Sequence, residues 1–476
     1  MTEHDRSASP QTSSIQQLRT TLSERVITPG DASFDEARTI FYGGFDRQPA
    51  AIVRVRDASD ISQVISLARE NGLELAIKSG GHSLAGHSTT DGGIVLDLSE
   101  MKDLQIDVSG RTAWAQTGLT AGEYTAATAV HGLATGFGDT GSVGIGGITL
   151  GGGVGYLVRK HGLTIDDVLA AEIVTADGEL LKVDSESHPD LFWAIRGGGG
   201  NFGVATRFKF RLHELSTIVG GMLVLPASPE TIASFIAEAE AAPEELSTIA
   251  NVMVAPPMPF LPQEVHGELI ILAMMVYAGE DVDEGERVIA PFRALAEPIV
   301  DMLKPMPYPQ IYPPEEGDYH PTAVGRTMFL DSVDLAEAET IVEYLSTSEA
   351  PMRVAQLRVL GGAMARVSAQ ATAFAHRSAA IMANVAAFYE ATEERAARER
   401  WAREFEEALR QGEGNKGDGV YVNFLGEEGE GRVRDAYPGS TWEKLVEIKS
   451  RYDPTNLFRL NHNIPPAIGQ KEWSDG

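Results

Sequence analysis

The chain has 476 residues, 43% of them hydrophobic, which is material for roughly two to three buried domain cores. Its 68 Asp and Glu against 39 Lys and Arg give a formal charge of -29, which repels phosphate backbones and anionic bilayers and argues against nucleic-acid and membrane partners. There is no cysteine, so disulfides, a thiolate nucleophile and a cysteine-ligated metal or cluster are excluded, and no metal site is expected.

In chain order, the opening MTEHDRSASPQT is polar and lacks the apolar core of a secretory signal, and no run of about 18 apolar residues follows, so a cytoplasmic protein is expected. Residues 1–40 read as a tail, unstructured to about Ser14, and a lead-in. Ser59 to Asn71 reads as a helix on the spacing of Ile61, Val64, Ile65 and Ala68, with Ser59 as N-cap and Gly72 as its stop. A strand over Glu74 to Lys78 and another over Ile94 to Leu98 flank a glycine-rich loop, Lys78 to Ser88 (KSGGHSLAGHS). There a glycine pair sits directly before His82. Paired glycines let the backbone run close to a ligand, and their N–H groups form a nest for oxyanions such as a pyrophosphate.

A helix from Thr120, with Glu123 completing a capping box, to His131 delivers the chain into a second glycine stretch, Gly136 to Tyr156 (GFGDTGSVGIGGITLGGGVGY). Leu169 to Val183 reads as a hairpin around Asp177-Gly178, and GGGGNFGV leads into a strand over Thr206 to Leu212. From Ile218 the character changes. Long apolar strands such as Leu269 to Tyr277, in which Met274 and Met275 read as core, alternate with acidic amphipathic helices such as Glu393 to Arg410. The last stretch, Val420 to Pro466, holds YVNF, a capped helix from Ser440 with Glu443, and YDPTNLFRLNHNIPP. The domains expected are 41–215, 216–419 and a returning segment 420–476.

SGGHSxxGHS followed by SVGIGGxxxGGGxG, together with this ending, resembles the vanillyl-alcohol oxidase and p-cresol methylhydroxylase superfamily, in particular its berberine-bridge-enzyme-like branch. A Rossmann dinucleotide site is the rival reading, since GxGxxG spacing occurs at Gly136 and again at Gly198. Neither copy follows a strand, and no acidic residue stands where the ribose would need one beyond Gly203. The resemblance implies an α+β fold: a two-part PCMH-type FAD-binding domain plus a substrate domain with a broad antiparallel sheet backed by helices.

It also implies residue roles. FAD would be bonded covalently through His82 at its 8α-methyl carbon. Ser79, Gly80, Gly81, Ser83 and Gly86 would hold the pyrophosphate, with Ser142, Val143, Gly144, Gly146, Gly147 and Gly152 in the second loop. Val204 would stand near the adenine, and Asn461 and Asn463 near the flavin ring. Many relatives carry a second bond through a cysteine where this chain has Thr140, so a single bond is expected, which leans towards a smaller substrate. Val143 matches a position where valine leaves oxygen a path to the flavin and leucine closes it.

Tyr421 matches a tyrosine that takes the substrate proton in several relatives. A free phenol titrates near 10, so it would need a neighbouring cation or a carboxylate partner. Arg358, Arg366, His376 and Arg377 are candidates for a cation near the substrate. The expected function is an FAD-dependent oxidase that takes hydride from a CH–OH or CH–NH carbon of a small organic substrate and passes electrons to oxygen, giving hydrogen peroxide. A dehydrogenase with a non-oxygen acceptor, a sugar or oligosaccharide oxidase, and a non-catalytic flavin-binding protein stay open at this stage.

Overall fold

The computed structural model describes residues 10–312, 319–412, 415 and 419–467. Its first helix, Pro10–Leu22, begins inside the stretch expected to be a tail, because Leu18 and Leu22 at helical spacing bury into the first core.

That core covers a four-stranded sheet in the order Val26–Ile27, Ala51–Arg54, Ile94–Asp97, Leu75–Lys78. The last three strands run parallel, as a βαβ crossover through the helix Ala58–Asn71 requires. The cap of this helix is Asp57 and not Ser59: the Asp57 carboxylate accepts from the N–H groups of Ser59 and Asp60, which places Ser59 inside the first turn. Gly72 ends it at φ 62°, as expected.

An antiparallel five-stranded sheet follows, in the order Leu104–Asp107, Thr112–Gln116, Val204–Arg211, Val168–Val174, Leu180–Asp184. The expected hairpin is its Val168–Val174 and Leu180–Asp184 pair, turning at Gly178 with φ 86°. Thr120 and Glu123 form the expected capping box, although the helix stops at Ala129, two residues short of His131.

From Thr217 a broad antiparallel sheet runs in the order Val300–Asp301, Thr217–Pro226, Leu269–Tyr277, Leu246–Val254, Arg353–Val359, Ile381–Phe388, Ala323–Leu330. Four helices, Pro229–Ala241, Val282–Arg293, Leu335–Thr347 and Arg395–Arg410, pack on one face through a core that includes Phe235, Ile341, Phe405 and Met275. Met274 points the other way and is half-buried against a second cluster. The last of these helices is preceded by a 3₁₀ turn, Thr392–Glu394, so its α-helical part starts later than expected.

The segment from Val420 returns to the first domain, where Val420, Val422, Leu425 and Leu445 share a core with Phe208 and Val168. Its helix Ser440–Tyr452 has Gly439 at the N-cap and makes no side-chain cap bond, against the expectation of a capping serine. The fully buried Lys449 ties this segment down: its ammonium donates to the Asn201 and Phe458 carbonyls and pairs with Asp453 at 2.6 Å. The architecture is the α+β arrangement read from the sequence.

Candidate active site

A cavity of about 540 Å³ opens where both glycine loops, the turn at Gly199–Asn201, the returning segment and the helix-free face of the broad sheet converge. The two loops meet back to back. A Cβ built on Gly80 would stand 2.2 Å from the Gly144 nitrogen, and one on Gly144 would stand 2.2 Å from the Gly80 nitrogen. No side chain fits at either position, so these glycines exist for the loop–loop approach. Ser79 reinforces it by donating its hydroxyl to the Thr117 carbonyl at 2.6 Å. Gly147 and Gly200 are different: a Cβ there would meet nothing within 4 Å, so bare backbone borders the cavity.

Of the residues read as flavin contacts, Ser79, Gly80, Gly81, His82 and Ser83 of the first loop line the cavity. So do Val143, Gly144, Gly146 and Gly147 of the second, and Val204 and Asn461 beyond them, while Tyr421, read as the base, stands on the same wall. Thr140 is on the wall as well. Four others are not. Gly86, at φ 70°, faces the Phe45 ring, where a Cβ would come within 2.5 Å. Ser142 turns its carbonyl towards Gly80 and the His82 ring. Gly152, at φ 137°, backs onto the Tyr421 and Phe374 rings. Asn463 keeps a buried side-chain oxygen without a partner among the described residues, off the wall.

His82 stacks on Phe41, ring centres 4.0 Å apart and planes 18° from parallel. Burial lowers its pKa to about 4, against the opposing pull of Asp139 and the Ser142 carbonyl, so at neutral pH it is an uncharged imidazole. An uncharged ring nitrogen keeps a lone pair, which is what nucleophilic attachment requires. His87 and His462, edge to face at 4.9 Å on the same wall, are held neutral by burial too, at about 3 and about 4.

Tyr421 is 1% exposed, and its phenol oxygen receives three donors: Gly153 N–H at 2.9 Å, Asn423 amide at 3.0 Å and Val154 N–H at 3.3 Å. Burial pushes the phenol above its usual range, while those donors and the Arg358 charge act in the other direction. Of the four candidates for a cation near the substrate, Arg358 is the one on the cavity wall, and its charge also acts on Tyr421. It pairs with Asp139 at 2.6 Å, donates to the Val154 carbonyl and to Gln356, and lies 5.1 Å over the Phe424 ring. The other three candidates are elsewhere. Arg366 pairs with Glu244 at the surface, His376 bonds the Asp435 and Ala436 carbonyls, and Arg377 is spent on Asp166.

Asp139, Gln356, Asn251 and Asn384 on the wall were not singled out from sequence. Asp139 could have been, as the one acidic residue of the second glycine stretch. This geometry fits the implied FAD. Bare backbone at Gly147 and Gly200, an uncharged histidine at the loop junction and the side-chain oxygen of Asn461, which has no partner among the described residues, are what a large polar cofactor with many acceptors and donors uses.

Comparison with known proteins agrees. Residues 49–184 match the model of the FAD binding domain, and residues 420–465 match the model described as berberine and berberine like. The chain is 31% identical over 451 residues to (R)-6-hydroxynicotine oxidase of Paenarthrobacter nicotinovorans, covering 93% of this chain and 96% of that one. It is 31% identical over 465 residues to the FAD-linked oxidoreductase YgaK of Bacillus subtilis, covering 94% and 98%. The crystal structure of 6-hydroxy-D-nicotine oxidase from Arthrobacter nicotinovorans superposes with a TM-score of 0.82 at 28% identity, over 92% of this chain and 97% of that one. A chitooligosaccharide oxidase shares the fold, with a TM-score of 0.83 at 22% identity over 95% and 99%.

Proposed function

The chain belongs to the berberine-bridge-enzyme-like family of FAD-linked oxidoreductases, and from that membership we propose an oxidase bonded to FAD once, through His82, that oxidises a CH–OH or CH–NH carbon of a small organic substrate. Two electrons and two protons leave the substrate, which becomes a carbonyl or imine, and reappear with oxygen as hydrogen peroxide. Bound FAD supplies the hydride acceptor and the reaction with oxygen. The observation that carries this reading is the half-buried, uncharged His82 at the junction of two glycine loops on the cavity wall.

The chain's own residues have separate tasks. The glycine loops offer N–H groups and bare backbone to the cofactor, and the largely apolar sheet wall borders the reacting carbon. Tyr421 takes the proton of the substrate hydroxyl or amine. Its oxygen already accepts three N–H bonds, so a phenolate there is met by preformed donors. Arg358 adds positive charge while remaining tied to Asp139, which limits how far the phenol is drawn down. Thr140 supplies no thiolate, so attachment stays single.

The test is anaerobic mixing of the holoprotein with alcohols, sugars, hydroxy acids and secondary amines, (R)-6-hydroxynicotine among them because a 31% identical relative is named for it. Bleaching of the visible flavin band by one class, followed by rapid recolouring and peroxide in air, is expected. Bleaching with slow recolouring in air would replace the oxidase with a dehydrogenase, and no bleaching by any member would end the enzymatic reading.

A further inference from the structure

The sheet wall of the cavity carries a row of amides. Register sets Asn251 opposite Gln356, Gln356 opposite Asn384, and Asn384 opposite Thr327, on four neighbouring strands. Residues directly opposite share a face of the sheet, and Asn251, Gln356 and Asn384 all reach the cavity. Two of them are fixed by their neighbours. Arg358 can only donate, so it holds the Gln356 oxygen at 2.7 and 3.0 Å and turns the Gln356 amide N–H towards the Asn251 oxygen at 2.9 Å. Asn251 in turn donates to the Leu272 carbonyl at 3.1 Å. Both ends of this relay demand the same orientation.

Asn384 is left over. Its side-chain oxygen is buried and has no hydrogen-bond partner among the described residues. Gly325, on the adjacent strand, leaves the space beside it free of a side chain: a Cβ there would stand 3.6 Å from that oxygen and 3.4 Å from a Leu84 methyl. Around it the wall is apolar, built from Met253, Met352, Val354, Ala386 and Phe388. The charges that line the cavity, Asp139 and Arg358, cancel each other, and its three histidines are neutral. A charged substrate group against this sheet wall, away from the glycine loops, would lose its hydration without meeting a counter-ion.

We propose that Asn384 selects the substrate, its side-chain oxygen accepting a hydroxyl or N–H proton from an uncharged, mostly apolar molecule. This rests on reading the cavity as the place of substrate oxidation. Carboxylates such as hydroxy acids and permanently charged amines are excluded, and a basic amine enters as its free base.

The test reads binding, not turnover, as perturbation of the visible flavin spectrum of the anaerobic holoprotein. Three skeletons, benzyl, phenethyl and cyclohexylmethyl, are each titrated as the alcohol, the carboxylate, the trimethylammonium ion and the parent hydrocarbon. At least one alcohol should bind, about tenfold or more tighter than its charged and hydrocarbon counterparts. Asn384→Leu should erase the advantage of alcohol over hydrocarbon, and Asn384→Asp, close to isosteric, should reverse the ranking in favour of the ammonium ion. If Asn384→Leu does not fold, as read by thermal unfolding, the Asn384→Asp reversal decides. Failure of all three alcohols to bind, a charged form binding as tightly, or an unchanged ranking in folded variants would overturn the proposal. Alcohols that bind but never bleach the flavin would count against the oxidase and leave Asn384 standing, whereas bleaching by hydroxy acids alone would do the reverse.

Discussion

The two walls of the cavity are built on opposite principles. One is backbone: two glycine loops so close that Gly80 and Gly144 exclude any side chain, with Gly147 and Gly200 presenting bare main chain to the cavity. The other is side chain: methionines, a phenylalanine and an amide row standing on regular strands whose backbone groups are spent in the ladder. A backbone wall depends on where glycines fall, and so constrains the sequence tightly. A side-chain wall can change residues without moving its backbone, so one fold can take different substrates while holding the same cofactor.

The largest test of this contrast is Gly144→Ala. A methyl group 2.2 Å from a backbone nitrogen and 2.3 Å from the Ser79 hydroxyl forces the loops apart, and we expect a loss of about 3 kcal/mol or more in stability together with failure to load FAD. Gly147→Ala is the matched control. With nothing within 4 Å of its Cβ it should unfold at the same temperature as the parent, and any fall in FAD content would then report the approach of the cofactor to that backbone.

Next comes His82→Ala. The parent should stay yellow after acid precipitation, weigh one FAD less two hydrogens above its sequence mass, and yield the flavin on the peptide containing His82. The variant should release all flavin on denaturation. Flavin free in the parent supernatant, or mapped to His87, would contradict the single-bond assignment.

Tyr421→Phe sharpens the side-chain half. Anaerobic flavin reduction should fall by at least about tenfold with FAD still bound. The sign of the pH effect follows from burial, which raises the phenol above its usual value: the base is protonated at neutral pH, so the reduction rate should climb as pH rises and level off only in the alkaline range. In the variant that climb should be absent, and an identical pH profile in both proteins would remove Tyr421 from proton transfer.

Val143→Leu is expected to act more gently, slowing reoxidation by oxygen in stopped-flow mixing while sparing reduction by substrate. Equal reoxidation rates would break the link between this wall residue and oxygen. The smallest effect belongs to Arg366→Ala. Its surface pair with Glu244 is remote from the cavity, and both stability and turnover should change by less than about 1 kcal/mol.

The same division explains what could be read from the chain alone. The Leu269–Tyr277 strand, the Thr120 and Glu123 capping box and the hairpin at Gly178 are local patterns, and each stands where the pattern put it. Ser59 is not the cap because Asp57, two residues earlier, takes the Ser59 and Asp60 N–H groups on its carboxylate and so starts the helix at Ala58. Asn251, Gln356 and Asn384 escaped notice for a deeper reason. Alternation along RVAQLRV or IMANVAAF tells which residues share a face, but which face borders a cavity is decided by the strands alongside and by the glycine loops opposite. Gly86 and Gly152 carry the motif's spacing yet serve Phe45 and Tyr421, because glycine is needed as much for packing behind a loop as for ligand contact in front of it.

The buried Lys449 and its partners bear on how the protein comes into being. Synthesis runs from the N-terminus, so a growing chain has both glycine loops long before it has the segment that pins Asn201 and fills the core beside Phe208. The whole broad sheet must be made in between. The first domain therefore waits, with apolar surface uncovered, for contacts very distant in sequence, and closing that long loop carries an entropic cost that slows its completion. The proposed flavin bond at His82 would accordingly form late in maturation, and nascent chains halted before Val420 are expected to carry no bonded cofactor and to depend on chaperones to stay dispersed.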